Sequence, residues 1–243
     1  MKIDKEKCIG CEACHPYCPV ESIATIESQG KPVSEIIPDN CVECGACLRS
    51  EVCPTDAIQT EELTWPRSIR AAFSNPFAIH PLTKIRGRGT VEMKTNDVTG
   101  RFRHGFAGVA IEMGRPILGT TFRDLETVTM AIAKLEVEFE PQNPVTPLIV
   151  DKKTGKINEE VLEEKALTAI VEFVVESNRL KEVLETIKNV SNRIETVFSM
   201  SLISRVNKDG SIQNISIAKE AGFLPKLSVK TNVGLGRPLK EEA

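Results

Sequence analysis

A chain of 243 residues, 41% hydrophobic and 27% charged, has the make-up of a soluble globular protein with an ordinary core. It lacks the eighteen-residue apolar run of a membrane span, and its start, MKIDKEK, lacks the apolar stretch of a secretory signal. A cytoplasmic location is therefore expected, where thiols stay reduced and eight cysteines point to metal rather than to disulfides. The net charge of −3 hides three unlike stretches: residues 1–62 carry net −7, residues 63–103 net +6 and residues 104–243 net −2.

All eight cysteines fall in two runs. Cys8, Cys11, Cys14 and Cys18 follow C-x2-C-x2-C-x3-C-P, closed by Pro19; Cys41, Cys44, Cys47 and Cys53 follow C-x2-C-x2-C-x5-C-P, closed by Pro54. Two residues between thiolates let a short loop wrap one corner of a cubane, with backbone N–H groups free to point at sulfur. Three thiolates from one loop leave the fourth iron to be met from elsewhere, and in the two-cluster arrangement that ligand comes from the other run. The spacing thus assigns Cys8, Cys11, Cys14 and Cys53 to one [4Fe-4S] cluster, and Cys41, Cys44, Cys47 and Cys18 to a second. Structural zinc sites would need separated pairs of cysteines, which consecutive triads do not offer.

The runs form an internal repeat, KCIGCEACHPYCPVESI against NCVECGACLRSEVCPTDAI. Between them, IATIESQGKPVSEII reads as two short strands around Gln29-Gly30. Over residues 1–62 the chain resembles the bacterial-type two-cluster ferredoxins, which implies low-potential electron transfer. It departs from them in the longer loop at 48–52, before Cys53. With eight ligand positions filled, His15 reads as a cluster-edge or exposed histidine and Tyr17 as packing.

Residues 63–104 read as a basic connecting strap. Pro66, Pro76 and Pro81 should interrupt any helix, while Trp65, Phe73, Phe77 and Ile79 argue for an ordered segment. Arg67 and Arg70 are expected to face the acidic first part. Arg86 and Arg88 begin a candidate anion site. One short basic patch in an acidic protein does not amount to a nucleic-acid interface.

Residues 105–243 alternate strand and helix patterns. GFAGVAIEM reads as a strand; Thr121 and Asp124 resemble a capping box ahead of a helix that aligns Leu125, Val128, Ile132 and Leu135. VEFEP reads as a strand, and QNPVTPLIVDKKTGK as a turn-rich surface crossing. TAIVEFVVE is a further strand; Asn178 is the expected cap of a helix presenting Leu180, Val183, Leu184, Ile187 and Val190. FSMSL alternates as a strand, and Asp209-Gly210 predicts a hairpin turn into a strand at SIQNISI. Two strand–helix–strand units predict an α+β sandwich, ACT-like or ferredoxin-like, with two helices on one face of a sheet.

The chain lacks G-x-G-x-x-G after a strand and G-x-x-x-x-G-K-[ST], which disfavours Rossmann nucleotide binding and P-loop ATP hydrolysis. Two stretches, VEMKTNDVTGR and LSVKTNVGLGR, share K-T-N and then G-R. They place Lys94, Asn96 and Arg101, and Lys230, Asn232 and Arg237, in polar loops that with Arg86 and Arg88 form the candidate anion site. Residues 87–116 and 139–149 resemble the 6-hydroxynicotinate reductase family, which implies a ferredoxin module feeding an N-heteroaromatic ring reductase; no catalytic residues transfer from it.

The favoured reading is an electron-transfer subunit of a larger anaerobic reductase complex, with larger redox subunits as partners and homo-oligomers allowed. The alternatives are a self-contained reductase of an N-heteroaromatic carboxylate, using Arg103 and His104 as well, and an iron–sulfur sensor with an ACT-like ligand domain. Ring reduction usually requires a flavin between one-electron clusters and a two-electron substrate. The sequence has no recognisable flavin site, so a flavin would come with a partner or an unrecognised site.

Overall fold

The computed structural model describes residues 1–86, 102–114 and 118–224. The first part is built around its cysteine loops. β1 (Lys2–Ile3) leads into the first loop, and the hairpin of β2 (Ile23–Ser28) and β3 (Lys31–Ile36) separates the two runs. One helical turn, α1 (Ala46–Arg49), carries Cys47 of the second run, and β4 (Ile58–Gln59) returns to pair with β1. Gln29 and Gly30 both take positive φ, as the two-residue turn of a tight hairpin requires. The core here is small. Ile3, Ile23, Val33, Ile36, Ala57 and Ile58 pack with Cys8, Cys14, Cys41 and Cys47, so the sulfur atoms are themselves core material.

The strap contains a helix that its prolines do not exclude. α2 (Ser68–Ser74) fits between Pro66 and Pro76, because one proline precedes its first turn and the other follows its end. Its Ile69, Ala72 and Phe73 belong to the core of the second part. Phe73 meets Phe122 and His80 edge-on, each with ring centroids 5.2 Å apart. Trp65 donates to Glu160 at 2.8 Å, whereas Phe77 and Ile79 are exposed.

His80 is fully buried, and its Nδ1 accepts from the backbone N–H groups of Leu82 and Thr83, both at 3.3 Å. Burial pushes its pKa down to about 4. The folded pKa lies below the unfolded value, so the unfolded chain binds more protons as pH falls below about 6.5. His80 should therefore cost up to about 1.4 kcal/mol of stability per pH unit between about pH 6 and 4. Urea midpoints of the protein and of His80→Gln, compared at pH 7 and pH 5, test this; the variant should lose less on acidification.

In the second part the chain runs β5 (Phe106–Met113), β6 (Thr120–Thr121), α3 (Phe122–Ala133), β7 (Glu138–Phe139), β8 (Ile149–Asp151), β9 (Lys156–Ile157) and β10 (Lys165–Ala166). It continues with β11 (Ala169–Glu176), α4 (Leu180–Val190), β12 (Phe198–Ile203) and α5 (Gln213–Glu220). Four strands form an antiparallel sheet in the order β12-β5-β11-β7. Strand alternation sends Ala107, Val109, Ile111 and Met113 to one face, with Val171, Phe173 and Val175 beside them. There they pack with Leu125, Val128 and Ile132 of α3 and with Leu180, Val183, Leu184 and Ile187 of α4. On the other face Gly108, Ala110, Glu112, Ile170, Glu172 and Val174 are also buried. Phe102 lies so close to Gly108 that a Cβ there would meet its ring at 2.3 Å.

Thr121 caps α3: its Oγ1 accepts from the Asp124 N–H at 3.0 Å and donates to the Asp124 carboxylate at 2.8 Å. Three sequence expectations need correction. Asn178 does not cap α4; it lies in a 3-10 turn, Ser177–Arg179, and donates to Glu176. Arg179, the residue before α4, already has helical φ and ψ; the extended residue is Glu176, ahead of the 3-10 turn, and its side chain makes no cap bond. The expected strand after Asp209-Gly210 is instead α5, packed against α4 through Ala218. The short apolar alternation of SIQNISI is ambiguous between the two periods, and the following AKEAG favours a helix with a glycine stop. Among the described residues α5 thus joins the two expected helices, α3 and α4, at the core, to which α2 of the strap also contributes. Among the described residues, no helix is long and apolar enough to cross a membrane.

Candidate metal centre

The internal repeat recurs in the backbone. The second spacer residue of each leading C-x-x-C takes positive φ, 68° at Gly10 and 56° at Glu43. So does the residue after each second cysteine, 59° at Glu12 and 69° at Gly45. Each loop thus curls inward at equivalent places, although glycine occupies only one position of each pair. At Gly10 an added Cβ would lie 2.4 Å from the Pro32 carbonyl oxygen, in addition to the left-handed strain. At Gly45 a Cβ would meet only the end of the Arg49 side chain. Gly10→Ala should cost at least about 1–2 kcal/mol and speed iron loss to a chelator, whereas Gly45→Ala should be milder. Absorbance decay under chelator reads the difference.

Each loop closes over a cavity that draws on both runs. Cys8, Cys11, Cys14 and Cys53 line one, with Ile3, Ser34, Thr55 and Ala57 among its walls. Cys18, Cys41, Cys44 and Cys47 line the other, walled by Met1, Val20, Ser22, Ile36 and Val42 among others. Backbone N–H groups point at the sulfurs: Ser34 to Cys8 at 3.3 Å, Ser22 to Cys18 at 3.1 Å and Ala57 to Cys53 at 3.2 Å. The last two are equivalent in the repeat, each four residues past the cysteine that precedes proline. Ser22 Oγ adds a second contact to Cys18 at 3.1 Å, and His15 Nε2 holds Ser34 Oγ at 3.0 Å. Tyr17 is exposed.

Burial raises the pKa values of Cys14, Cys41 and Cys44 and pushes Cys47 up to about 11. At Cys53 burial also pulls upward, but hydrogen bonds from Ala57 and Thr55 outweigh it and lower the pKa. Crowded, largely buried thiols remain thiolates at neutral pH only beside a strong cation. Soft sulfur donors in fours, with N–H groups aimed at them, fit an iron–sulfur group.

The loops differ in their cover. Glu43, at the bend of the second loop, is buried and receives Arg67 at 2.6 Å and the terminal ammonium of Met1 at 2.5 Å. Arg70 is ion-paired with Glu164 of the second part and donates to the carbonyls of Pro38, Asp39 and Cys41, the last at 2.8 Å. Arg49 donates to the Cys44 carbonyl at 2.8 Å and lies over the Phe77 ring. Lys165 reaches Asn40 at 3.3 Å, and Ser74 accepts from the Leu167 N–H at 2.8 Å. The second loop is thus built into a seam formed by the strap and the sheet domain. Arg67 faces the acidic part as expected; Arg70 serves both sides, a role that its place in a basic stretch did not reveal.

Of the candidate anion site only Arg86 is described, and it is exposed. Arg88, Lys94, Asn96, Arg101, Lys230, Asn232 and Arg237 lie outside the described residues. Arg103 stacks on Phe106, 4.7 Å from the ring centroid, and His104 is exposed.

The fold of the first part and its sulfur donors define an iron–sulfur electron-transfer protein. Residues 1–60 match the family model of a 4Fe-4S dicluster domain. Ferredoxin Fdx2 of Sorangium cellulosum (strain So ce56) is 32% identical over 109 residues, covering 40% of this chain and 93% of that protein. Ferredoxin YfhL of Escherichia coli (strain K12) is 33% identical over 76 residues, covering 26% and 84%. Ferredoxin-3 of Rhodobacter capsulatus is 35% identical over 77 residues, covering 23% and 74%. No solved structure matches the chain. Through this segment the chain belongs to the ferredoxin family, and electron transfer is its chemistry.

Proposed function

We propose that the chain is an electron-delivery module carrying two [4Fe-4S] clusters, one held by Cys8, Cys11, Cys14 and Cys53 and the other by Cys18, Cys41, Cys44 and Cys47. The observation that carries this reading is the pair of cavities, each lined by three cysteines of one run and one of the other. When bound, such a group gains or loses one electron with no bond made or broken. The protein's own contribution is to hold the thiolates, to aim N–H groups at them and to keep water out of the second loop.

The second part serves, in this reading, as the docking platform of a larger reductase complex. Its strand order and its two strand–helix–strand units support a ferredoxin-like sandwich, a fold that hosts many functions. The closure of the second cysteine loop against this part, through Arg70 and Lys165, supports a wiring role. Native mass spectrometry of protein purified from its source without oxygen tests the proposal. Larger foreign subunits should accompany the chain. A single chain or homo-oligomer that carries a flavin and reduces an N-heteroaromatic carboxylate unaided would replace this reading with the reductase one.

A further inference from the structure

The two cysteine loops are repeats, yet their surroundings are opposite. Ile9 and Val42 occupy the same position in the repeat; Ile9 is 62% exposed and Val42 only 2%. Glu12 is exposed where its counterpart Gly45 is buried, and Cys11 is exposed where Cys44 is partly covered. Arg67 and Arg70 of the strap and Lys165 of the sheet domain reach the covered loop, beside Met1 and Arg49 of the first part; among the described residues Ile9, Cys11 and Glu12 of the first loop stay exposed. Among the described residues, then, one loop faces inward and the other outward.

We infer that the rim of the first cavity is the docking face for an external one-electron carrier protein with a cationic contact surface. This rests on the electron-delivery reading above. At its centre Ile9 offers an exposed apolar contact next to Cys11, and both line the cavity. Glu12 also lines it, and Asp56 sits between the lining residues Thr55 and Ala57; both acids are exposed. Residues 1–62 carry net −7, so a carrier with a basic rim is attracted, whereas a second copy presenting the same face is repelled. An apolar centre in a polar rim is the usual anatomy of a specific contact, and transient redox encounters need little area. One electron crosses per encounter, lost by one protein and gained by the other.

The experiment uses oxidised holoprotein of verified iron content and ferricytochrome c, a cationic carrier with an exposed haem edge, titrated by calorimetry at low and at physiological ionic strength. Binding should weaken as salt rises. The double variant Glu12→Lys with Asp56→Lys should weaken it at least about threefold at low salt. Glu185→Lys, on the exposed side of α4, should leave it unchanged. Zero-length carbodiimide cross-links should map to Glu12 or Asp56. If the double variant loses iron, Ile9→Lys tests the same face. Equal weakening by Glu185→Lys, cross-links confined to the strap or sheet domain, or no salt-sensitive binding would overturn the inference. A preparation without clusters would instead overturn the electron-delivery reading, and its iron content reveals that before any titration.

Discussion

Cys18→Ala should remove about half of the bound iron, and the loss should come from the site of the second run. The geometry behind this is the cavity that Cys18 shares with Cys41, Cys44 and Cys47. Double variants separate the crossed arrangement from the uncrossed one. Adding Cys44→Ala to Cys18→Ala should cost little further iron, because both belong to one site. Adding Cys11→Ala should remove nearly all of it. The reverse pattern would place Cys18 with its own run and refute the crossing. Iron assay, acid-labile sulfide and low-temperature electron paramagnetic resonance of the reduced protein together read the result.

Arg70→Met should destabilise the protein by about 3–5 kcal/mol. The variant keeps most of the volume but removes a buried guanidinium that joins Glu164 to the carbonyls of Pro38, Asp39 and Cys41. Breaking one side of a buried pair leaves the other charge without compensation, and three carbonyls lose a donor. Glu164→Gln should cost less, because its amide oxygen still accepts. Denaturant unfolding gives the magnitude. Proteolysis should then open the strap near α2 in Arg70→Met before it cuts the sheet domain. A loss below about 1 kcal/mol, the range of a surface pair, would show that Arg70 does not hold the seam.

How much of this was legible in the sequence varies with the kind of signal. The cysteine spacing carries its chemistry in covalent distances, and the hairpin at Gln29-Gly30 carries its turn in two residues that tolerate positive φ. The helix from Phe122 was readable because Thr121 and Asp124 mark its start. SIQNISI misled because seven residues cannot separate a period of two from one of 3.6. Asn178 misled because a 3-10 entry into α4 removes the need for a cap. The inequality of the two cysteine loops was invisible: Ile9 and Val42 look alike, and only the tertiary placement of Arg70, Met1 and Lys165 makes one open and the other closed. The buried carboxylates Glu112 and Glu172 sit at strand positions that alternation alone would have placed on a solvated face.

The most direct test of the central claim is the iron and acid-labile sulfide content of the intact chain, purified without oxygen. Two [4Fe-4S] groups predict about eight of each per chain, with magnetic interaction between two reduced centres. About four of each, with only one paramagnetic centre on full reduction, would contradict the account.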